Sequence, residues 1–168
     1  RQMCIRDRLR SDSIYEGLKY IMRDDPEETI GIVLVHDAAR CFAPAELFST
    51  VTERVRTIMS QNVAAGVVPA LPVVDTIKMV DSSGNVLGTP DRTRLRRVQT
   101  PQGFDAKLLW TLHQEARKEG LSTTDDAALL EKFQFGVATV PGDEKALKIT
   151  TPTDLRLAQF IMEEDAEG

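Results

Sequence analysis

Apolar residues recur along this chain at two spacings, and the alternation between them sets the predicted architecture. From Ser11 onward, Ile14, Leu18, Ile21 and Met22 share one helical face, and Asp24-Asp25-Pro26 ends that helix. Gly31 to Val35 is a continuous apolar run, the pattern of a strand covered on both faces. Pro44 opens a second helix with the stripe Leu47, Val51, Val55, Ile58 and Met59, and Val63 to Ala70 is a second buried strand. Strand, helix, strand at this spacing is a βαβ unit. The predicted fold class is therefore α/β, a doubly wound, mostly parallel sheet with helices on its faces.

The stretch from Pro72 to Val98 breaks that rhythm. Val73 to Val80 reads as a strand, Ser82-Ser83-Gly84-Asn85 as a turn and Val86-Leu87 as the return, which predicts a protruding β-arm at about 72–98. Helical spacing resumes at Asp105, an N-cap residue, with Leu108, Leu109 and Leu112 inward and Gly120 as the stop. Asp125 to Phe133 is a short helix, Gly136 to Val140 a strand and Ala146 to Ile149 another short strand. Thr151-Pro152-Thr153-Asp154 starts the last helix, which should bury Leu155, Ala158, Phe160, Ile161 and Met162. Residues 1–9 fit no element and are read as a tail foreign to the fold, leaving 10–168 as the domain.

Charge and cysteine content narrow the partners. A net charge of −5 argues against general nucleic-acid binding, so an anionic substrate needs a local cluster of positive charge. Two cysteines, Cys4 and Cys41, make no disulfide framework and point to a reducing, cytoplasmic setting. No apolar run is long enough for a membrane span.

Three groups of residues could carry chemistry. Val35-His36-Asp37-Ala38-Ala39-Arg40 follows a buried strand directly, where ligands of open α/β sheets bind. Asp37 is either a functional carboxylate or the cap of a turn. One carboxylate plus substrate phosphates is the usual way magnesium is held. His36 reads as a structural histidine, and His113 lies mid-helix, so a zinc site is not expected. The basic run Arg92, Arg94, Arg96, Arg97 on the arm offers guanidinium forks suited to phosphate, although charged residues also protect exposed strand edges. Asp75-Thr76, Thr100-Pro101-Gln102, Thr123-Thr124-Asp125-Asp126 and Lys148 lie just outside elements, where hydroxyls and amides bind phosphate or merely cap.

In order and spacing, VHDAAR, PVVDTIK, the arginine ahead of LRRVQTPQGF, the TTDDA stretch and LKITTPTDL resemble the 2-C-methyl-D-erythritol 4-phosphate cytidylyltransferases of isoprenoid biosynthesis. The resemblance runs from Arg10 to about Met162, and GTPDRTRLRRVQTPQGF looks most like actinobacterial members. It implies a Rossmann-like nucleotidyltransferase fold and magnesium-dependent transfer of a cytidylyl group from CTP to methylerythritol phosphate, releasing pyrophosphate. By resemblance Asp37 is the magnesium ligand, with Ala38 and Arg40 lining the site and Ser13 near the cytosine end. Thr76, Arg92, Thr100, Thr124 and Lys148 match residues around methylerythritol phosphate. The arm of the family crosses to a second subunit of a homodimer, so Arg92 and Thr100 are expected to serve the partner's site. Arg94, Arg96 and Arg97 keep the reading of an exposed face.

Two departures stand out. Cys41 occupies the place of the family's usual proline. The family opens with a strand and a glycine-rich loop whose Arg and Lys grip the triphosphate, and RQMCIRDR stands in its place. The expectation is a partial domain lacking its N-terminal strands, inactive and poorly behaved alone. A ribitol 5-phosphate cytidylyltransferase or a non-catalytic dimerisation fragment are the rival readings.

Overall fold

The structure, a computed structural model, describes residues 10–27 and 29–167. The foreign-tail reading of residues 1–9 falls outside them. Helix α1 spans Arg10–Asp24. Strand β1 is Ile32–Val35, helix α2 is Ala45–Gln61 and strand β2 is Gly66–Pro72. The arm carries β3 at Met79–Val80, β4 at Val86–Gly88 and a 3-10 turn at Arg92–Arg94. The chain then returns through β5 (Arg96–Val98) and β6 (Gln102–Asp105) into α3 (Ala106–Lys118). Helix α4 (Asp126–Lys132), strand β7 (Val137–Pro141), a 3-10 turn at Glu144–Ala146 and α5 (Pro152–Glu167) follow.

The α/β class holds, but the sheet is mixed rather than mostly parallel: β1, β2 and β7 run in one direction, and only β2 with β7 pairs in parallel. β2 pairs with β7 in parallel, while β1 pairs with β6 and β6 with β2, both antiparallel, so β1 also runs with β2. The βαβ unit is therefore spread apart: β6 sits between the two strands that α2 connects. β5 continues the same antiparallel run beyond Gln99-Thr100-Pro101, pairing with the end of β2. The apolar pattern by itself predicts no strand at 96–105. Arg96-Arg97 and Gly103 have poor strand propensity, and pairing with β2 overrides it.

Both faces of the sheet are covered, which explains the unbroken apolar run of β1. Ile32 and Leu34 pack with Val51, Val55 and Ile58 of α2, whereas Val33 and Val35 face Leu18, Leu109, Leu112, Leu129 and Leu130 of α1, α3 and α4. Phe104, fully buried, anchors the second group. Gly103 lets α2 lie flat on β6, since a Cβ there would come 2.7 Å from methyls of both Val51 and Val55. The predicted helix signals act as read. Asp105 accepts from the Leu108 amide at 2.7 Å, and Gly120, at φ +64°, ends the turn after α3.

Three expectations change. Ala146 to Ile149 is not a strand: Ala146 ends the 3-10 turn, and the residues after it pair with no strand among the described residues. β2 begins at Gly66, and Val63 is an exposed residue of the turn before it. Helix α5 buries Ala158 and Ile161 but leaves Leu155, Phe160 and Met162 more than half exposed. Helical periodicity marks an apolar face without saying whether anything lies against it, and among the described residues nothing covers these three. The strand expected from Val73 to Val80 shortens to β3, Met79–Val80, whose pairing with β4 closes around Asp81.

Candidate functional site

β1, β2 and β7 all end at the same edge of the sheet, and the site candidates gather there because the chain leaves the sheet three times at that edge. β1 delivers His36 to Arg40, β2 leads to the arm, and β7 leads through Gly142 to Lys148.

Asp37 is the centre of the cluster. Its Oδ2 lies 3.1 Å from Lys148 Nζ and 3.7 Å from Arg40 Nε. The turn after it is closed by its backbone, the Arg40 amide donating to the Asp37 carbonyl at 2.9 Å. Arg40 is mostly buried and donates to the carbonyls of Ala146 at 2.8 Å and Val98 at 3.5 Å. Burial pulls its pKa below the usual arginine value, and Asp37 opposes the shift. It stays a cation in any case, since arginine is not deprotonated in proteins. Lys148 is half exposed, so its ammonium can meet a solvent-borne anion as well as Asp37.

Thr100 joins this cluster from the link between β5 and β6. Its hydroxyl accepts from the Asp37 amide at 3.0 Å and lies 3.0 Å from His36 Nδ1. His36 Nε2 is 3.3 Å from the Arg40 carbonyl, which can only accept, so in the neutral ring Nε2 carries the hydrogen and the threonine donates to Nδ1. With both ring nitrogens engaged and the ring against Phe48, His36 is a structural histidine, as read. Thr100 is only 4% exposed and bound within its own chain. The expectation that it serves a partner's site is corrected: the return strand carries it back from the arm into this subunit's sheet.

The remaining candidates lie further out. Ala38 is exposed in the turn after Asp37. Thr124 is exposed just before Asp125, which caps α4 and accepts from Gln102 Nε2 at 2.9 Å, a tie to β6 directly after Thr100 and Pro101. Ser13 is exposed on α1. Thr76 and Arg92 are exposed on the arm, where Arg92 donates to the Val74 carbonyl at 2.8 Å. Arg96 donates to the Thr93 and Leu95 carbonyls and Arg97 pairs with Glu144 at 3.2 Å, both as surface residues. Sequence reading missed two buried polar features. Gln99 fastens the loop before Lys148, and His113 meets Asp126 at 2.8 Å between α3 and α4. A polar residue inside an otherwise apolar stripe, as at His113, is the signal that could have found the second.

No group of three or more His, Cys, Asp or Glu that could hold a metal occurs among the described residues, and no helix among them is long and apolar enough to cross a membrane.

Residues 7–164 match the family model of 2-C-methyl-D-erythritol 4-phosphate cytidylyltransferase, IspD. A curated relative of that name from Microcystis aeruginosa is 47% identical over 153 residues, which are 91% of this chain and 63% of the relative. One from Synechocystis is 42% identical over 161 residues, 96% of this chain and 65% of the relative. The chain thus spans less than two thirds of the length of these relatives. Among solved structures, the 4-diphosphocytidyl-2C-methyl-D-erythritol synthase of Anaerococcus prevotii superposes with a TM-score of 0.80 at 31% identity, over 94% of this chain and 68% of that one. The 2-C-methyl-D-erythritol 4-phosphate cytidylyltransferase of Thermus thermophilus gives 0.75 at 35% identity, over 92% and 69%. With the motifs in register and the fold shared by solved relatives, the chain belongs to the 2-C-methyl-D-erythritol 4-phosphate cytidylyltransferase family.

Proposed function

We propose that the protein to which this chain belongs transfers a cytidylyl group from CTP to 2-C-methyl-D-erythritol 4-phosphate. The observation that carries this reading is the convergence of Lys148 and Arg40 on Asp37 where β1 and β7 leave the sheet, in a chain of this family. In the reaction a phosphate oxygen of the sugar alcohol attacks the α-phosphorus of CTP. The bond to the β-phosphate oxygen breaks and pyrophosphate leaves with that electron pair. The attacking oxygen is already anionic, so no general base is needed. The difficulty is electrostatic, because two anions must meet and charge must be stabilised in transit.

Each part of the cluster suits that task. Lys148 supplies a mobile point charge that can turn from Asp37 to an incoming phosphate. Arg40 is fixed by two backbone carbonyls and offers a constant positive field beside Asp37. Thr124 and Ala38 are both exposed, and the resemblance assigns them to the same site. A single carboxylate with cations beside it fits magnesium poorly as a closed protein site and well as a site completed by phosphates and water. Asp37 would hold the ion, which when bound offsets phosphate charge. We further propose a homodimer in which the arm carries Arg92 and Thr76 to the partner's site. Their exposure, on a segment that leaves the sheet at the edge where Asp37 stands, supports it. Ser13, exposed on α1, is assigned to the cytosine end by the resemblance. A cytoplasmic setting accords with the free, exposed Cys41.

The test is turnover of CTP, with magnesium, by a version of the protein spanning the full length of its relatives, offered methylerythritol phosphate and ribitol 5-phosphate in parallel. Preference for methylerythritol phosphate is expected. Equal or better use of ribitol 5-phosphate overturns the substrate assignment.

A further inference from the structure

Lys148 stands just after a turn closed by its own bonds, Asp143 accepting from the Lys145 amide at 2.7 Å and the Ala146 amide at 3.0 Å. The turn is joined to β2 where the Gly142 amide donates to the Ala70 carbonyl at 3.0 Å. Between Gly142 and Leu147 only Ala146 is buried, and Glu144 and Lys145 are exposed. A lysine has a four-carbon stem and a weakly directional charge, so its ammonium is placed only as well as its backbone is.

The side chain that fastens the middle of this turn to the sheet is Gln99. This residue is 4% exposed, in the break between β5 and β6. Its Nε2 donates to the carbonyls of Asp143 at 2.7 Å and Ala146 at 3.3 Å, and its Oε1 accepts from the Asp143 amide at 3.0 Å. Every one of these bonds goes to the same turn. The turn passes so close to the amide that a Cβ on Gly142 would collide with Gln99 Oε1 and sit 3.2 Å from the Ala70 carbonyl carbon. Glycine is thus required there for closeness. The Ala146 carbonyl also receives Arg40 Nη1 at 2.8 Å, and the Ile149 amide donates to the Ala39 carbonyl at 2.9 Å. Lys148 is bracketed by these two ties, and its Nζ reaches Asp37 Oδ2 at 3.1 Å.

We propose that Gln99 is a positioning residue for Lys148: its side-chain amide clamps the turn after β7 and thereby sets where the ammonium stands relative to Asp37. The inference rests on the reading above that Lys148 meets the transferring phosphates. Arg40 cannot replace the clamp, because its guanidinium also serves Asp37 and Val98. Gln99→Leu keeps the volume and removes all three bonds. The loosened turn lets the ammonium drift, and displacement of a positioning group by about 1 Å is enough to slow chemistry by one to two powers of ten.

A cycle of variants in the full-length protein separates this role from simple support of the fold. Gln99→Leu is expected to lower kcat about tenfold while the KM for CTP stays within about twofold. In a Lys148→Met background the same substitution should add no further loss, since the group it positions is gone. Gly142→Ala attacks the clamp from the other side and should show the same silence in that background, which covers the case in which Gln99→Leu does not fold. An equal loss from either substitution with and without Lys148 overturns the proposal. Hydrogen exchange at the Ile149 amide, read without substrates, should quicken in Gln99→Leu, and unchanged exchange also overturns it. If Lys148→Met alone leaves turnover intact, the phosphate role of Lys148 falls, and the exchange rate at Ile149 then decides by itself whether Gln99 holds the turn.

Discussion

The sheet edge around Asp37 and the arm from Val73 to Leu95 are built on opposite terms. At the edge, side chains from four separate stretches lock together across sequence separations of more than sixty residues, as between Asp37 and Thr100, and more than one hundred, as between Arg40 and Ala146. On the arm, bonds are mostly short-range: Asp81 with Ser83 and Asn85, Asp91 with Thr93, Lys78 with Thr89. Val74, Met79, Val80, Val86 and Leu87 are all at least half exposed there. The edge is therefore determined by the chain's own fold. The exposed apolar residues of the arm accord with the proposed second subunit.

That contrast can be broken most forcefully in the core behind the edge. Phe104→Ala removes a fully buried ring and should cost about 3–5 kcal/mol in denaturant unfolding, whereas Leu87→Ala on the arm should stay within about 0.5 kcal/mol. A comparable loss at Leu87 would mean that the arm belongs to the folding unit. Next in size is Asp37→Asn, placed in a version spanning the full length of the relatives. Turnover should fall at least about a hundredfold with a raised magnesium requirement, because an amide holds a hard dication poorly. Turnover near wild type would return Asp37 to a structural partner of Lys148.

Subunit mixing sharpens the comparison further. Arg92→Ala and Asp37→Asn should each be inactive, and an equal mixture allowed to exchange should recover about a quarter of wild-type turnover, since half the dimers are hybrid and each has one intact site. No recovery despite proven exchange removes the shared site. The smallest effect is expected at the start of α5. Asp154 accepts from the Thr150 and Thr151 amides at 2.9 and 2.7 Å and from the Thr150 hydroxyl at 3.0 Å. The Thr150 amide leads these bonds in pulling its pKa from 3.8 to about 2. A carboxyl whose folded pKa is depressed stabilises the fold above its ordinary value, and that contribution disappears as pH falls from about 4 through about 2. The Asp154 carboxyl carbon followed by NMR should titrate near 2, and a midpoint near 3.8 would show the cap open in solution.

Two helices show where sequence reading reaches its limit. For α2 the stripe Leu47, Val51, Val55 and Ile58 is buried as the periodicity predicts, because β1, β6 and β2 lie beneath it. For α5 an equally regular set is only partly covered: Ala158 and Ile161 are buried and the capping box of Thr151 and Asp154 forms as read, but Leu155, Phe160 and Met162 are more than half exposed. The candidate site divides in the same way. The strand ending at Val35 placed Asp37 at the ligand-binding edge, and the resemblance supplied Lys148. The role of Gln99 was hidden, since nothing near it in sequence marks the turn forty-four residues later that its amide holds.

Periodicity, caps and glycine stops fix local conformation, because each acts within one or two turns of the chain. From these the sequence determined the helices, the parallel strands, the arm and the edge at which chemistry belongs. Only the tertiary structure decided that β6 enters between β1 and β2, that Thr100 stays in its own subunit's cluster, and that Lys148 meets Asp37. Those outcomes depend on which distant segments compete for the same hydrogen bonds and the same apolar surface. The competition is settled by packing of the whole domain, which no local spacing records.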